Sequence, residues 1–345
     1  MTRIAKTTIA MVMIVMGSLG FAFGAPAAPA AAPEMHHLKI GVGSKNGFFF
    51  LPTMVAEGLG YYKDAGLDVE IVDLGSGAKT LEGLVGGSVD VICDAFDHVV
   101  QLRAKQIDLQ AFVLQGRLPD YAIAVVKSKE GAYKSPQDLR GMRIGISSPG
   151  SGSDMFLKLF LAKAGVKASE VSTISVGLGP TAVAAVRAGQ LDAIANNDPV
   201  IGTLAQSGDI KVIADARTEA GAKDVYGGAY PAAALIAYKS FIDKNPKTTQ
   251  ALTNAMVRTL RWMSTATPDQ IIAVMPKQFA ADHVDTTRKI LASLKQIYSA
   301  DGLFPANSGE MAVTVLRPYV HNIDAAKQGL DTTFTNRFVQ AADKP

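Results

Sequence analysis

The stretch SSPGSGSDM (147–155) gathers four serines and two glycines between the apolar run MRIGI (142–146) and the helix-like FLKLFLAKAG (156–165). Main-chain N–H groups and hydroxyls at a helix start suit an anion or another polar ligand. The same residues suit a plain cap, with Ser151 or Ser153 capping and Gly150 making the turn. A phosphate-binding P-loop is excluded, because Gly152 is followed by Ser153 and Asp154 rather than by Lys and Ser or Thr. The dinucleotide pattern fails as well, for want of a third glycine in place.

Stepping along the chain, an internal repeat gives this loop a partner. HLKIGVGS (37–44) is similar to GMRIGISS (141–148), with Lys39 and Arg143 104 positions apart. GAKTLEGLVGGSVDVI (77–92) aligns without a gap to GPTAVAAVRAGQLDAI (179–194) at an offset of 102, matching Gly87 to Gly189 and Asp90 to Asp192. Each copy reads strand, helix, strand, helix, strand: 38–43, 53–63, 67–73, 77–86 and 89–93 in the first, and 142–146, 153–164, 172–176, 180–188 and 191–195 in the second. Such alternation predicts βαβ units and parallel sheets. Right-handed crossovers then bring the strand C-terminal ends to one edge, outside which ligands bind. AIAVVKS (122–128) and LIAYKS (235–240) resemble each other and read as two strands crossing between lobes and acting as the hinge. The apolar periodicity of 247–263 and of the segments after it predicts a helical end that completes the first lobe.

The strand ends supply the candidate ligand contacts. In the first lobe they are Lys45, Asn46 and Phe48, then Asp94 and Phe96, then Arg117; in the second, Ser148, Gly150, Ser151 and Ser153, then Asn196 and Asn197. Lys45 and Arg117 could pair with an anion. Phe48, Phe49 and Phe96 could cover a planar group. Asp94 and Asp97 would instead favour a cation or a hydrogen-bond donor, although an acid after a strand often caps the next helix. His98 suits packing or capping as well as ligand contact.

Composition narrows the function classes. The 345 residues carry a net charge of +3 and show no basic cluster interleaved with aromatics, which argues against nucleic acid. One cysteine, Cys93, allows neither an intrachain disulfide nor a cysteine-based metal site. The five histidines are scattered apart from His36 and His37; we expect no metal and no cofactor. Arg3 and Lys6, the apolar 9–24 and the Ala/Pro run 25–33 read as an export signal without a cysteine for lipid attachment. The expected organisation is a signal peptide over 1–25, a flexible leader over 26–36, a first lobe from 37–121 plus 236–345, and a second lobe over 122–235. A periplasmic location follows.

These motifs resemble a known family. AEGLGYYKDAGLDVEIV (56–72), LVGGSVDVICD (84–94), YAIAVVKS (121–128), DLRGMRIGISSPGSGSD (138–154) and VRAGQLDAIANNDP (186–199) are similar to the nitrate/sulfonate/taurine solute-binding proteins of ABC importers, the SsuA/THI5-like group. The resemblance implies an α/β type II periplasmic binding protein fold, with two lobes closing on one small ligand that is delivered to a membrane permease and ATPase. It implies contacts from Asn46, Phe48, Asp94, Ser148, Ser151 and Asn197. We expect a monomer without nucleic-acid partner or membrane insertion. An organic anion, a sulfonate or carboxylate, is the first expectation for the ligand, from Lys45, Arg117 and the serine-rich helix start. A neutral heteroaromatic such as a pyrimidine precursor is the alternative, from Asp94, Asn197 and the phenylalanines. The rivals are an enzyme of the THI5-like type, which the resemblance ties to a cysteine-rich segment and histidine, and a sensor docking to a membrane receptor.

Overall fold

The computed structural model describes residues 32–277 and 284–342. The expected signal peptide and most of the leader lie outside these residues. Residues 34–36, read as the end of a flexible leader, are held in place. The Glu34 carboxylate accepts the Lys247 and Thr248 main-chain N–H groups, and the Thr248 hydroxyl meets Met35.

The first repeat folds as β1 (His37–Val42), α1 (Leu51–Gly58), α2 (Tyr61–Asp64), β2 (Asp68–Asp73), α3 (Gly77–Val85), β3 (Val91–Ala95), α4 (Phe96–Arg103) and β4 (Leu109–Leu114). The single helix expected over 53–63 is two, because Gly60 adopts a left-handed φ of 73° between them. The chain then crosses into β5 (Ala122–Val126), β6 (Arg143–Ile146), α5 (Gly152–Lys163), β7 (Ser172–Ser175), α6 (Pro180–Arg187), β8 (Ala193–Asn196), α7 (Val200–Gln206), β9 (Ile210–Asp215) and α8 (Glu219–Tyr226). It returns through β10 (Ala233–Tyr238), α9 (Lys239–Lys244) and the long α10 (Pro246–Thr265). The remaining helices are α11 (Pro268–Val274), α12 (Val284–Leu294), α13 (Ser308–Leu316) and α14 (Arg337–Gln340).

Two five-stranded sheets result, ordered β2-β1-β3-β10-β4 and β7-β6-β8-β5-β9. The strands from the repeats pair in parallel, while β10 and β5 run antiparallel to both their neighbours. Each of these two strands is the one that arrives from the other lobe. They occupy equivalent places, and each carries a register shift at the same point, Ile123/Ala124 and Leu235/Ile236. This is the type II periplasmic-binding-protein arrangement. β5 is wholly buried in the second sheet and β10 nearly so in the first, so the two are the crossover strands, and the chain reaches them through the stretches around 116–121 and 227–232.

The repeat has a structural cause. Asp90 and Asp192 each accept a main-chain N–H from the first strand of their own copy, that of Lys39 in β1 at 2.8 Å and that of Arg143 in β6 at 2.9 Å. Gly87 and Gly189 each make the preceding turn with a left-handed φ, 74° and 67°. β3, β4 and β5 are buried along their whole length, as strands covered on both faces must be, and their sequences are accordingly almost continuous apolar runs. α10 packs on α1, α2 and α14, so the C-terminal helices complete the first sheet's lobe. α12 also lies against α7 of the second lobe.

Candidate functional site

The C-terminal edges of the two sheets meet face to face. The Phe48 main-chain N–H donates to Asp198 O at 2.9 Å, and His98 Nε2 lies 3.1 Å from Gly150 O. A Cβ on Gly179 would stand 3.8 Å from Asn46 Cβ. Four segments converge here: 44–48 after β1, 147–151 after β6, 196–198 after β8, and the crossing 118–121.

Buried oxygens without a hydrogen-bond partner concentrate in these segments. They are Asn46 Oδ1, Ser148 Oγ, Asn197 Oδ1 and both carboxylate oxygens of Asp120. Buried polar groups are nearly always paired, by protein, water or ligand. Among the described residues the sole further orphan is Arg103 Nε, so four of the five residues concerned lie at this edge.

The other expected contacts are committed elsewhere. The Ser147, Ser151 and Ser153 hydroxyls bond one another at 2.7 to 3.1 Å, and Ser153 Oγ accepts the Ser147 N–H. Ser151 stands at the N-cap of α5 without a side-chain capping bond. The loop is instead tied by Asp154, which accepts the Gly150 N–H at 2.7 Å and pairs with Lys158. The serine cluster therefore shapes the loop and leaves Ser148 as its unpaired hydroxyl. Asn196 donates to Gly177 O and accepts the Asn197 N–H.

On the first lobe, Lys45 is half-buried, and its main-chain N–H is bound by Asp73. Phe48 is fully buried among Leu51, Val55 and Leu118. Phe96 packs on Phe304 and Phe334. Both rings are core rather than covers for a ligand. The Arg117 guanidinium is engaged within the protein: it donates to Glu219 at 2.8 Å and to Gln296 O at 3.2 Å.

Asp94 accepts the Ala95 N–H at 2.8 Å and pairs with His98 Nδ1 at 3.0 Å. Burial works to lower the His98 pKa, yet the Asp94 charge and the two hydrogen bonds outweigh it and hold the ring at about 9. Burial pushes the neighbouring Asp97 carboxyl up to about 6, while the Tyr230 hydroxyl, which donates to it, and His98 restrain the rise.

Two features escaped the sequence reading. Asp120 follows no strand of the repeat and sits in the crossing segment. Tyr121 beside it stacks between Phe49 and Phe156, at 5.6 and 5.9 Å, and so joins the first lobe to the second. Stacking continues from Phe156 to Tyr226 and Tyr230. These contacts pair residues far apart in sequence, and no local spacing signals them.

The chain matches the family model described as NMT1/THI5 like over residues 48–271. A solved structure from Bordetella bronchiseptica RB50 is 41% identical, covering 90% of this chain and 97% of that one, with a TM-score of 0.87. The fold is shared with the alkanesulfonate-binding protein SsuA of Xanthomonas axonopodis pv. citri bound to MOPS, at 18% identity and a TM-score of 0.68 over 88% of this chain and all of that one. It is shared as well with the periplasmic nitrate-binding protein NrtA of Synechocystis PCC 6803, at 16% identity and a TM-score of 0.69 over 91% of each chain. The chain belongs to the NMT1/THI5-like family, and its fold is that of the nitrate/sulfonate/taurine-type solute receptors of ABC importers.

Proposed function

We propose that this protein is the periplasmic solute receptor of an ABC importer and that its ligand is a small planar heteroaromatic of the pyrimidine type. The observation that carries the reading is the set of unpaired buried oxygens on Asn46, Ser148 and Asn197, distributed over both lobes. Two are amide carbonyls and can only accept, so they ask for a ligand that brings N–H or O–H donors. A sulfonate or carboxylate brings acceptors alone. Arg117, which would have held an anion, is paired with Glu219.

A ligand that bridges both lobes binds the closed form more tightly and shifts the population toward it. Delivery to a permease and ATPase then follows from release on docking. A catalytic role is poorly supported. Cys93 is fully buried against Gln115, and burial pushes its thiol far up, so it is no nucleophile. Among the described residues no cluster of three or more His, Cys, Asp or Glu could hold a metal ion, and no helix is long and apolar enough to cross a membrane.

A thermal-shift panel of pyrimidines, sulfonates, aliphatic and aromatic carboxylates and nitrate tests the reading, since a native-state ligand raises the melting point by mass action. Pyrimidines should raise it and the anions should not. Ser148→Ala combined with Asn197→Ala should weaken the responding ligand by roughly 30-fold, from about 1 kcal/mol per hydrogen bond, without lowering the ligand-free melting point. Unchanged affinity in that double variant would remove these loops from the site.

A further inference from the structure

We infer that Asp120 selects the ligand, and that it selects a planar group presenting two parallel N–H donors, as an amidine or a ring-protonated aminopyrimidine does. The inference rests on the solute-receptor reading and deepens it by naming the chemistry of one ligand edge.

The case begins with burial and partners. Asp120 is 1% exposed, and neither of its oxygens has a hydrogen-bond partner. The Asp198 main-chain N–H lies near but does not reach bonding geometry. The cation that acts on it is Arg217, but the guanidinium directs its bonds to the other two acids: Nε and Nη2 to Asp215, both at 2.7 Å, and Nη1 to Asp198 at 2.8 Å. Asp198 is further satisfied by the Gly202 N–H at 2.6 Å. Three carboxylates thus surround one guanidinium, and Asp120 is the one left over.

Its place in the fold points to the cleft. The antiparallel register of β5 on β8 pairs Ala122 with Asn196; carried two residues outward, it sets Asp120 beside Asp198. Asp198 is the residue whose carbonyl receives the Phe48 N–H from the opposite lobe. Asp120 therefore lies where the crossing segment, the Asn197 loop and the Asn46 loop come together. A carboxylate with both oxygens free is matched by two parallel N–H donors, the fork geometry that makes bidentate pairs strong and orienting. An anion in the same position would meet Asp120 and Asp198 at close range. Burial, reinforced by the Asp198 charge against the pull of Arg217, pushes the Asp120 carboxyl well above the usual range; a cationic donor pair is the ligand that favours its ionised form, in which both oxygens accept.

Benzamidine and benzamide separate the possibilities. They share ring and shape, but benzamide replaces one nitrogen donor by an acceptor. With protein refolded from denaturant to strip co-purified solute, titration calorimetry should show benzamidine binding at least about tenfold more tightly than benzamide. Asp120→Asn, which turns one acceptor into a donor, should lose at least about tenfold in benzamidine affinity and retain the native circular dichroism. Equal binding of the two probes, or unchanged benzamidine affinity in Asp120→Asn, overturns the inference. If Asp120→Asn does not fold, the contrast between the probes on the unaltered protein decides. Binding of taurine or benzoate without benzamidine would overturn the Asp120 inference and leave the receptor reading standing. Binding of no probe and no solute in the wider panel would count against both.

Discussion

Alkaline pH should loosen the closed arrangement through His98. Its two ring nitrogens face Asp94 Oδ2 at 3.0 Å and Gly150 O at 3.1 Å. Both partners are acceptors, so only the imidazolium donates to both, and a neutral ring must turn a lone pair toward one of them. The pKa stands at about 9 against an ordinary 6.5; burial opposes the rise, and Asp94, the two hydrogen bonds and Asp97 more than offset it. For a cation with a raised pKa, the stabilisation is complete below about 6.5 and is lost as the pH climbs through about 9. The Asp94 share survives opening, because Asp94 and His98 belong to the same lobe. The share specific to closure is the bond to Gly150, which lies across the cleft. A hydrogen bond from a charged donor contributes about 1.5–3 kcal/mol, which is roughly one to two orders of magnitude in the closed-to-open ratio. The assay is interlobe energy transfer between dyes on Glu82→Cys and Ala184→Cys, two exposed positions on α3 and α6. Cys93 does not compete for label, being fully buried. The closed-to-open ratio should fall by at least about tenfold between pH 7 and 10, and His98→Gln, which does not titrate, should flatten the response. A closed fraction indifferent to pH over that range, or the same response in His98→Gln, would refute the reasoning.

Two further substitutions probe the supports of the cleft. Tyr230→Phe removes the hydroxyl that donates to Asp97, whose carboxyl burial already pushes to about 6. An acid with a raised pKa costs the native state stability as pH rises past it, and the tyrosine moderates that cost. Tyr230→Phe should therefore destabilise by about 1–2 kcal/mol at pH 7.5 and by little at pH 5, where the carboxyl is protonated; equal losses in urea midpoint at both pH values would contradict this. Gly152→Ala would set a Cβ 1.9 Å from Tyr121 Oη and 2.6 Å from its Cζ. Tyr121 cannot swing away, because it is stacked between Phe49 and Phe156, so overpacking should cost about 1–3 kcal/mol and weaken ligand binding. An unchanged melting temperature would show that the ring has room to move.

Much of the fold was legible because it rests on local, periodic signals. The alternation of apolar runs places the strands of both repeats within a residue or two of where they lie, since turn glycines and the acids Asp90 and Asp192 punctuate each copy alike. The strands β5 and β10 were legible as a pair for the same reason. Their antiparallel pairing on both sides was not legible, because a crossing strand and a sheet strand carry the same apolar pattern until the pairing partners are known. The break at Gly60 was hidden in an otherwise helical run, where one glycine does not reveal its φ.

The loops of the candidate site were legible from the strand ends, and the pairing of their polar groups much less so. Strand ends identify which loops face the cleft, and Asn46, Ser148 and Asn197 do keep unpaired buried oxygens there. What strand ends cannot reveal is which polar groups the protein consumes itself. Ser151 and Ser153 satisfy each other, Arg117 is taken by Glu219, and Asp94 by His98. Each of those pairings was invisible to a reading by residue type, and one of them occupies Arg117, a cation on which the anion-binding expectation drew. Asp120 illustrates the converse. Its importance lies in Arg217 directing its hydrogen bonds to Asp198 and Asp215 rather than to Asp120, a fact about a third and a fourth residue. The charge a cleft presents to its ligand is thus the remainder after internal pairing. In this protein that remainder includes a buried carboxyl and acceptor oxygens, and on it rests our proposal of a donor-bearing heterocycle over a sulfonate.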